Sequence, residues 1–359
     1  MTKKIFFTPG PSALYFTVNE HLKTAMKEQV MEINHRSKQA ERYFRDAAAN
    51  LKQLMSIPQD YQIFFLSSAT EIWERQLQNL VIDRSSHYCY GAFSGRFYDF
   101  AVKMGLNPQK LNSTFGELPD TAPELIDPNT ELISMALNET STGVSFPTDQ
   151  IIKIREAHPQ ALIAVDGVSA FPVIDADFSN IDSAYFSVQK CFGLPAGLGV
   201  WIVSPRAIEK ANQKLKEGHS IGSYMSLPNL VKNGIKAQTT YTANVLNIYL
   251  LSKVSADMLV KGIDVIRRES NYKSSLLYHT IETHPKLSAF VKDKSLRSKT
   301  VAVANTSIDS KEIIDFLDSK GMVIGNGYGD FKGKQIRIAS FPTHSKEQME
   351  YLVDTLNSF

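Results

Sequence analysis

Apolar residues follow two alternating patterns along the first two-thirds of the chain. In residues 38–55 they recur every three or four positions, so that Phe44 and Leu51 fall on the same face of a predicted helix. Short continuous apolar runs, such as those within residues 61–68 and 161–167, predict buried strands. Because strands and helices alternate in this region, we expect an α/β domain with a mostly parallel sheet.

The pattern changes in the last third of the chain. A long helical stretch from Asn244 to about His284 looks like a connector, and it is followed by a strand, a helix, a strand and a final helix. This order predicts a smaller α+β domain. We expect a large domain at residues 16–255, a small domain at residues 256–359, and an N-terminal arm at residues 1–15 that packs with the small domain.

The composition is that of an ordinary soluble protein, with 43% hydrophobic and 21% charged residues in a chain of 359. The formal net charge of +2 leaves no electrostatic footprint for nucleic acid. Cys89 and Cys191 imply no disulfide framework, and no run of about 18 apolar residues suggests a membrane span. Pro9 and Pro11 interrupt the N-terminal apolar stretch, which makes it a poor signal peptide. We expect a cytoplasmic enzyme without a metal, nucleic-acid or membrane partner.

Two ionisable residues follow buried strands. Asp166 ends one apolar run, and Lys190 follows the next and precedes a glycine-rich segment. Ligands collect at the carboxyl ends of the strands in such a sheet, and a lysine beside buried residues tends toward the neutral amine that forms a Schiff base. Alone, Asp166 is more often a turn residue and Lys190 an exposed loop residue. Together they form the pattern that a pyridoxal 5′-phosphate (PLP) site needs, with a carboxylate for the ring nitrogen and an amine for the aldehyde.

Short segments spread along the chain carry a resemblance to a known family. They occur in family order from Thr8 to Ser340: TPGPSAL, MEINHRSKQ, LSSATEIWE, LNETSTG, VDGVSAF, SVQKCFGLPAGLGV, AQTTYTAN and IRIAS. With these segments the chain resembles the class V aminotransferases, and HRSK narrows the resemblance toward their phosphoserine branch. The resemblance implies an α/β PLP-dependent transferase of fold type I. The implied reaction converts O-phospho-L-serine and 2-oxoglutarate to 3-phosphohydroxypyruvate and L-glutamate, a step of serine biosynthesis.

The resemblance also implies a role for each residue around the cofactor ring. Lys190 would be the lysine that carries PLP, and Asp166 would partner the pyridine nitrogen. Thr140 would hydrogen-bond the phenolic oxygen. Phe93 would stack on the ring, at a position where many relatives carry Trp. These four residues predict a PLP site with a partner at every side of the ring.

The cofactor phosphate has its own predicted set of residues. Ala69 and Thr70 lie at a helix start, where free backbone N–H groups and the helix dipole bind anions. The resemblance adds Gln189 from the same chain, and Gln238 and Thr239 from the partner subunit. A homodimer would then be required for a complete site, in keeping with the prevalence of twofold dimers.

Three further residues are predicted to bind the substrate. Arg337 would pair with the α-carboxylate, because a guanidinium presents a planar fork that matches a carboxylate. His35 and Arg36 would face the distal phosphate, as one titratable and one permanent cation. Without the resemblance, Arg337 is better interpreted as a surface arginine and the His-Arg pair as part of a solvated loop.

The predicted phosphate pocket departs from the family pattern, which keeps two alternatives open. Thr70 stands where bacterial members of the phosphoserine branch commonly have Arg, and Asp330 and Phe331 stand near the place of a His-Arg pair. Lys332 and Lys334 are candidates to compensate. One alternative is therefore a class V aminotransferase for a non-phosphorylated amino acid, of the serine or alanine–glyoxylate type. The other is an inactive PLP-fold binding protein, which the presence of the complete catalytic set argues against.

Overall fold

The computed structural model describes residues 4–359, and residues 1–3 of the predicted arm lie outside this range. The strands are β1 (Ile5–Phe7), β2 (Gln62–Leu66), β3 (Ser85–Cys89), β4 (Gln109–Asn112), β5 (Leu132–Ala136), β6 (Asn138–Glu139), β7 (Val144–Ser145), β8 (Leu162–Asp166), β9 (Ser183–Ser187), β10 (Gly199–Val203), β11 (Leu287–Ala289), β12 (Val301–Thr306), β13 (Met322–Asn326) and β14 (Gln335–Ala339). The helices are α1 (Val18–Lys27), α2 (Lys38–Leu54), α3 (Ala69–Leu80), α4 (Ala92–Lys103), α5 (Thr148–Ala157), α6 (Pro205–Lys216), α7 (Leu227–Gly234), α8 (Val245–Lys261), α9 (Ile263–Thr283), α10 (Ser310–Ser319) and α11 (Lys346–Asn357).

The large sheet has seven strands in the order β2-β10-β9-β8-β5-β3-β4. β10 runs antiparallel to both of its neighbours, and the other pairs are parallel, so the predicted mostly parallel α/β sheet is confirmed. Along β2, Ile63 and Phe65 join one hydrophobic core with residues of α2 and α8, while Phe64 and Leu66 join a second core with residues of α3 and α6. Burial on both faces explains why the strands are continuous apolar runs.

The smaller sheet has five strands in the order β1-β13-β14-β12-β11. Its core contains apolar side chains from α9, α10 and α11, among them Ile281, Leu317 and Leu352. β1 pairs in parallel with β13, with Phe7 opposite Ile324. The described part of the N-terminal arm therefore adds a strand to the small sheet before the chain enters the large one.

The predicted connector helix is two helices. α8 ends and α9 begins on either side of Gly262, whose φ of 85° is a left-handed conformation that glycine adopts without steric cost. The division between domains at residues 255 and 256 falls inside α8 and stays a prediction. Within residues 4–359, no helix combines the length and the apolar character that a membrane crossing requires.

The parallel strands end at one edge of the large sheet, and several segments with polar side chains follow there. α3 begins shortly after β2, and α4 shortly after β3. Asp166 is the last residue of β8, and Lys190 lies in the turn after β9. The topology thus brings residues that are far apart in sequence to the same edge, as expected for an open parallel sheet.

Candidate active site

A cleft of about 250 Å³ lies at this edge of the sheet, facing β14 and the N-terminal arm. Predicted site residues that line it are Ala69, Thr70, Phe93, Thr140, Asp166, Gln189, Lys190 and Arg337. The cleft is also lined by Pro9, Gly10 and Tyr328, which the sequence analysis did not assign to the site. Eight predicted residues are therefore in one place, and they come from both sheets.

Lys190 is buried at the floor of the cleft, with 7% of its surface exposed. Its Nζ donates a hydrogen bond to Thr140 Oγ1 at 2.9 Å. The Thr140 hydroxyl in turn donates to Ser169 Oγ at 2.8 Å, and the Ser169 hydroxyl donates to the Asn138 carbonyl at 3.1 Å. On another side, Nζ lies 5.4 Å from the centroid of the Phe93 ring. The amine is therefore held in a defined place by neutral groups.

Gly10 of the N-terminal arm covers the alkyl chain of Lys190. A Cβ at this position would come within 2.8 Å of Lys190 Cε, and the φ of 135° also disfavours any larger residue. A hydrogen bond holds the arm in place near Lys190, because the Ser12 N–H donates to the Gln189 carbonyl at 3.2 Å. The segment TPGPSAL pointed to the family, but neither periodicity nor spacing indicated that the arm would reach the lysine.

Lys190 and Asp166 have shifted pKa values with a common cause. Burial lowers the pKa of Lys190 to about 8, and the negative charge of Asp166 opposes this shift. Burial raises the pKa of Asp166 to about 6. Two effects oppose this rise: the Val168 N–H donates to Oδ1 at 2.8 Å, and the charge of Lys190 is nearby. A lysine with a pKa near 8 is neutral in roughly a tenth of the molecules at pH 7, far more than an exposed lysine.

A second buried lysine shows that the low pKa alone does not identify the site. Burial also lowers the pKa of Lys273 to about 8. Its Nζ, however, donates to the carbonyls of Phe341 and His344 at 2.7 and 2.8 Å, and Lys273 does not line the cleft. Lys190 differs because its amine faces a space that can hold a ligand.

The N-terminus of α3 forms one end of the cleft. Ser68 caps this helix by accepting a hydrogen bond from the Glu71 N–H at 3.1 Å, and the Ala69 N–H donates to Ser187 Oγ at 3.0 Å. Gly199 on β10 allows this close approach, since a Cβ there would lie 2.5 Å from the Ser68 carbonyl carbon. The hydroxyl of Ser187 and the positive end of the α3 dipole therefore lie together at the cleft, which is typical of a site for an anion.

Gln189 adds an unsatisfied polar group at the same end. Its side-chain Oε1 is buried and has no hydrogen-bond partner in the described structure, although Gln189 lines the cleft. A buried amide oxygen without a partner costs free energy, and because it only accepts hydrogen bonds, the partner it lacks is a donor group. The amide, the α3 N-terminus, the Phe93 ring and the Asp166 carboxylate together fit a planar ring that carries a phosphate.

The opposite end of the cleft is aromatic and cationic. The rings of Phe93 and Tyr328 lie 5.3 Å apart, and the Arg337 guanidinium stands 5.4 Å from the centroid of Tyr328. Arg337 donates from Nε to the Asn326 carbonyl at 2.8 Å and from NH1 to the Thr140 carbonyl at 3.5 Å. Burial lowers the pKa of Arg337. In the described residues, no carboxylate is paired with it, so its charge is available for an anionic ligand.

The loop before β14 contributes Tyr328 to the cleft, whereas Asp330 and Phe331 do not line it. Asp330 is exposed, and Phe331 packs against Phe115 and Phe290 with ring centroids 6.0 and 5.3 Å apart. The departures from the family pattern at Asp330 and Phe331 therefore did not identify Tyr328 as the residue of this loop that lines the cleft. Lys332 and Lys334, considered as compensating cations, are also exposed and outside the lining of the cleft.

The remaining four predicted residues form a separate group. His35 and Thr239 line one small cavity, apart from the cleft of Lys190. Gln238 donates from Nε2 to Glu41 Oε1 at 2.9 Å, on the helix that begins just after Arg36. Burial lowers the pKa of His35, and the Arg36 charge acts in the same direction. In the single chain, these four residues therefore lie outside the cleft that contains Lys190.

Comparison with known proteins agrees with this geometry. A model of the aminotransferase class-V family matches residues 100–330, which is more than half of the chain. A crystal structure of a phosphoserine aminotransferase from Cytophaga hutchinsonii is 46% identical, has a TM-score of 0.97, and is matched over 100% of this chain and 99% of its own. Phosphoserine aminotransferase of Rhodococcus opacus is 29% identical over 90% of this chain and 87% of that protein. This chain belongs to the class-V aminotransferases.

Proposed function

We propose that this PLP-dependent enzyme transfers the amino group of O-phospho-L-serine to 2-oxoglutarate, giving 3-phosphohydroxypyruvate and L-glutamate. The observation that carries the proposal is the cleft around Lys190, Asp166 and Thr140 in a chain that is 46% identical, over its whole length, to a protein named phosphoserine aminotransferase. Arg36 supplies a permanent cation suited to a phosphate, and the neighbouring His35 ring supplies an N–H donor.

The residues of the cleft fit the cofactor group by group. We assign the phosphate to Ala69, Thr70 and Gln189, where the helix N-terminus and the NH₂ group of the Gln189 amide can donate to phosphate oxygens. Phe93 offers its ring face, and Asp166 offers the carboxylate for the pyridine nitrogen. When bound, PLP supplies an aldehyde that condenses with amines and a ring that withdraws electrons from the adjacent carbon.

Lys190 and Asp166 are the residues of this chain to which we assign the proton chemistry of the reaction. The lowered pKa of Lys190 leaves part of the amine neutral, so that it can hold the cofactor and then accept the proton from the substrate Cα. Thr140 accepts a hydrogen bond from the amine and orients it. Asp166, when ionised, keeps a proton on the ring nitrogen. Arg337 binds the α-carboxylate and thereby sets which substrate bond faces the amine.

We propose that a second copy of the chain completes the site. His35 lies beside Thr239 in one small cavity, and Arg36 and Gln238 also lie outside the cleft of their own chain, as expected if all four reach the cleft of a partner. Large apolar side chains are exposed close by in sequence: Met31 is 56% exposed and Ile235 is 74% exposed. A contiguous exposed apolar patch marks a protein interface, and we propose that Met31 and Ile235 belong to such a patch. The phosphate of the substrate would then be bound across the dimer.

A non-phosphorylated amino acid remains the second candidate substrate, because a specific observation favours it. The cations expected from the family are absent at Thr70, Asp330 and Phe331, and Tyr328 occupies the cleft instead.

A cytoplasmic location is also part of the proposal, since both cysteines are free and a reducing compartment keeps thiols in that form.

We predict that the PLP-loaded protein responds to phosphoserine and to glutamate by losing its visible cofactor band, more readily than with serine or alanine. The substitution Lys190→Ala should abolish both the lysine-linked band and turnover, because Lys190 is the only lysine that lines the cleft among residues 4–359. Absorbance titration with the four amino acids measures both effects. Conversion by serine or alanine without conversion by phosphoserine would establish the second candidate instead.

We predict that two inactive variants, Lys190→Ala and Arg36→Ala, restore activity when they are combined in one dimer. The hybrid has one site with both residues intact only if Arg36 acts in the partner's cleft. Co-expression should recover up to about a quarter of wild-type activity, since half of randomly assembled dimers are hybrids with one of two sites intact. The matched control is Lys190→Ala with Asp166→Ala, which lie in the same cleft and should recover none. Failure of the first pair to exceed the second contradicts the shared site.

We predict that the apoprotein binds PLP covalently at a rate that rises with pH through about 8, because Lys190 must lose its proton first. Asp166 raises the pKa of this lysine, so the substitution Asp166→Asn should move the midpoint to lower pH. Stopped-flow absorbance across a pH series measures both midpoints. A midpoint near the ordinary lysine value of ~10.4, or an upward shift in the variant, contradicts the assigned electrostatics.

A further inference from the structure

Glu139 lies next to Thr140 and is fully buried, with 0% of its surface exposed. It does not line the cleft. Its charge is balanced by five hydrogen bonds from uncharged donors. Oε1 accepts from the Ser141 hydroxyl at 2.8 Å and from the N–H groups of Ser141 and Phe93 at 3.1 and 3.3 Å. Oε2 accepts from the Ser94 N–H and hydroxyl, each at 2.8 Å.

Three of these donors, from Phe93 and Ser94, belong to the first turn of α4, which has no side-chain cap of its own. The residue before the helix is Gly91, and it contributes no side-chain hydrogen bond. Glu139 binds the second and third N–H groups of the helix, and Ser141 Oγ accepts from the first, that of Ala92, at 2.9 Å. A distant segment thus supplies the cap, and the negative charge also suits the helix dipole.

Gly91 shows that this arrangement is built into the chain. A Cβ at Gly91 would lie 2.3 Å from Glu139 Cγ and 2.5 Å from its Cδ. Any other residue would therefore push the carboxylate away from the helix. The close approach needs the absence of a side chain at this position.

The two segments joined by Glu139 carry the groups on two sides of Lys190. Phe93, in the first turn of α4, lies 5.4 Å from the amine, and Thr140 accepts its hydrogen bond at 2.9 Å. The carboxylate binds the backbone of Phe93 directly and that of Ser141, the neighbour of Thr140. A shift of either segment would change the spacing between the ring and the hydroxyl.

We propose that Glu139 is a positioning residue that fixes Phe93 and Thr140 relative to each other and so sets the geometry in which the cofactor is held. The proposal rests on the proposed function in that PLP lies between these two residues. Glu139 touches neither substrate nor cofactor and acts through the two residues that do. Its charge also lies close enough to influence the pKa values of Asp166 and Lys190.

The substitution Glu139→Gln tests this role, because it keeps the shape but presents an amide NH₂ to donors that need an acceptor. We expect the dissociation constant of PLP to rise roughly 10- to 100-fold, the scale of losing charge-assisted hydrogen bonds. The visible band and its pH midpoint should change as well. The matched control is Glu131→Gln, since Glu131 also accepts backbone N–H groups, those of Ile82, Asp83 and Arg84, but none of these three residues lines the cleft. It should leave PLP affinity and the band unchanged.

A double-mutant cycle separates positioning from general destabilisation. If Glu139 acts through the stacking ring, Glu139→Gln should weaken PLP binding much less in a Phe93→Ala background than in the wild type. Full additivity of the two effects, or an equal loss of affinity in Glu131→Gln, overturns the proposal. These binding measurements do not depend on which amino acid is the substrate, so the proposed reaction can fail while this inference stands.

A milder variant serves if Glu139→Gln does not fold. Ser141→Ala removes one of the five hydrogen bonds to Glu139 and the bond to the Ala92 N–H, yet keeps the carboxylate. We expect a rise of about 3- to 10-fold in the dissociation constant of PLP and a smaller change in the band. An unchanged affinity and an unchanged band in a well-folded Ser141→Ala protein would contradict the positioning role of Glu139.

Discussion

Lys190 and Asp166 lose most of their hydration at the floor of the same cleft, and the charge of each opposes the pKa shift that burial imposes on the other. The amine therefore releases its proton near pH 8 instead of remaining charged, and the carboxyl group still ionises near pH 6. This balance holds only while both groups stay buried and close. The rest of the site serves to keep them so.

Three kinds of close approach maintain that arrangement. Gly10 lets the N-terminal arm cover the lysine, Gly199 lets the start of α3 lie on the sheet, and Gly91 lets the Glu139 carboxylate cap α4. Each brings backbone or a buried carboxylate to a distance that a Cβ would prevent. Thr140 and Arg337 then connect the two sheets across the cleft, because the Arg337 guanidinium reaches the Thr140 carbonyl. The small sheet is thereby coupled to the groups that we propose hold the cofactor.

Much of this was predictable from sequence because strand ends in a parallel sheet converge, and Asp166 and Lys190 both follow buried strands. The break between α8 and α9 at Gly262 was not predictable from sequence, because apolar periodicity continues on both sides of it. Tyr328 was not predicted as a site residue because its loop has no regular pattern. The departures from the family pattern at Asp330 and Phe331 concern neighbouring positions that do not line the cleft. The role that we propose for Arg36 depends on a second copy and cannot follow from one chain's contacts.

The central claim is that Lys190 is the lysine that holds the cofactor, and Lys273 provides its sharpest competitor, since burial lowers the pKa of both to about 8. Borohydride reduction of the PLP-loaded protein fixes the cofactor to the lysine that holds it, and peptide mass mapping then identifies that residue. The account predicts the label on Lys190 alone, because the Lys273 amine is occupied by two backbone carbonyls outside the cleft. A label on Lys273, or on any lysine other than Lys190, would contradict it.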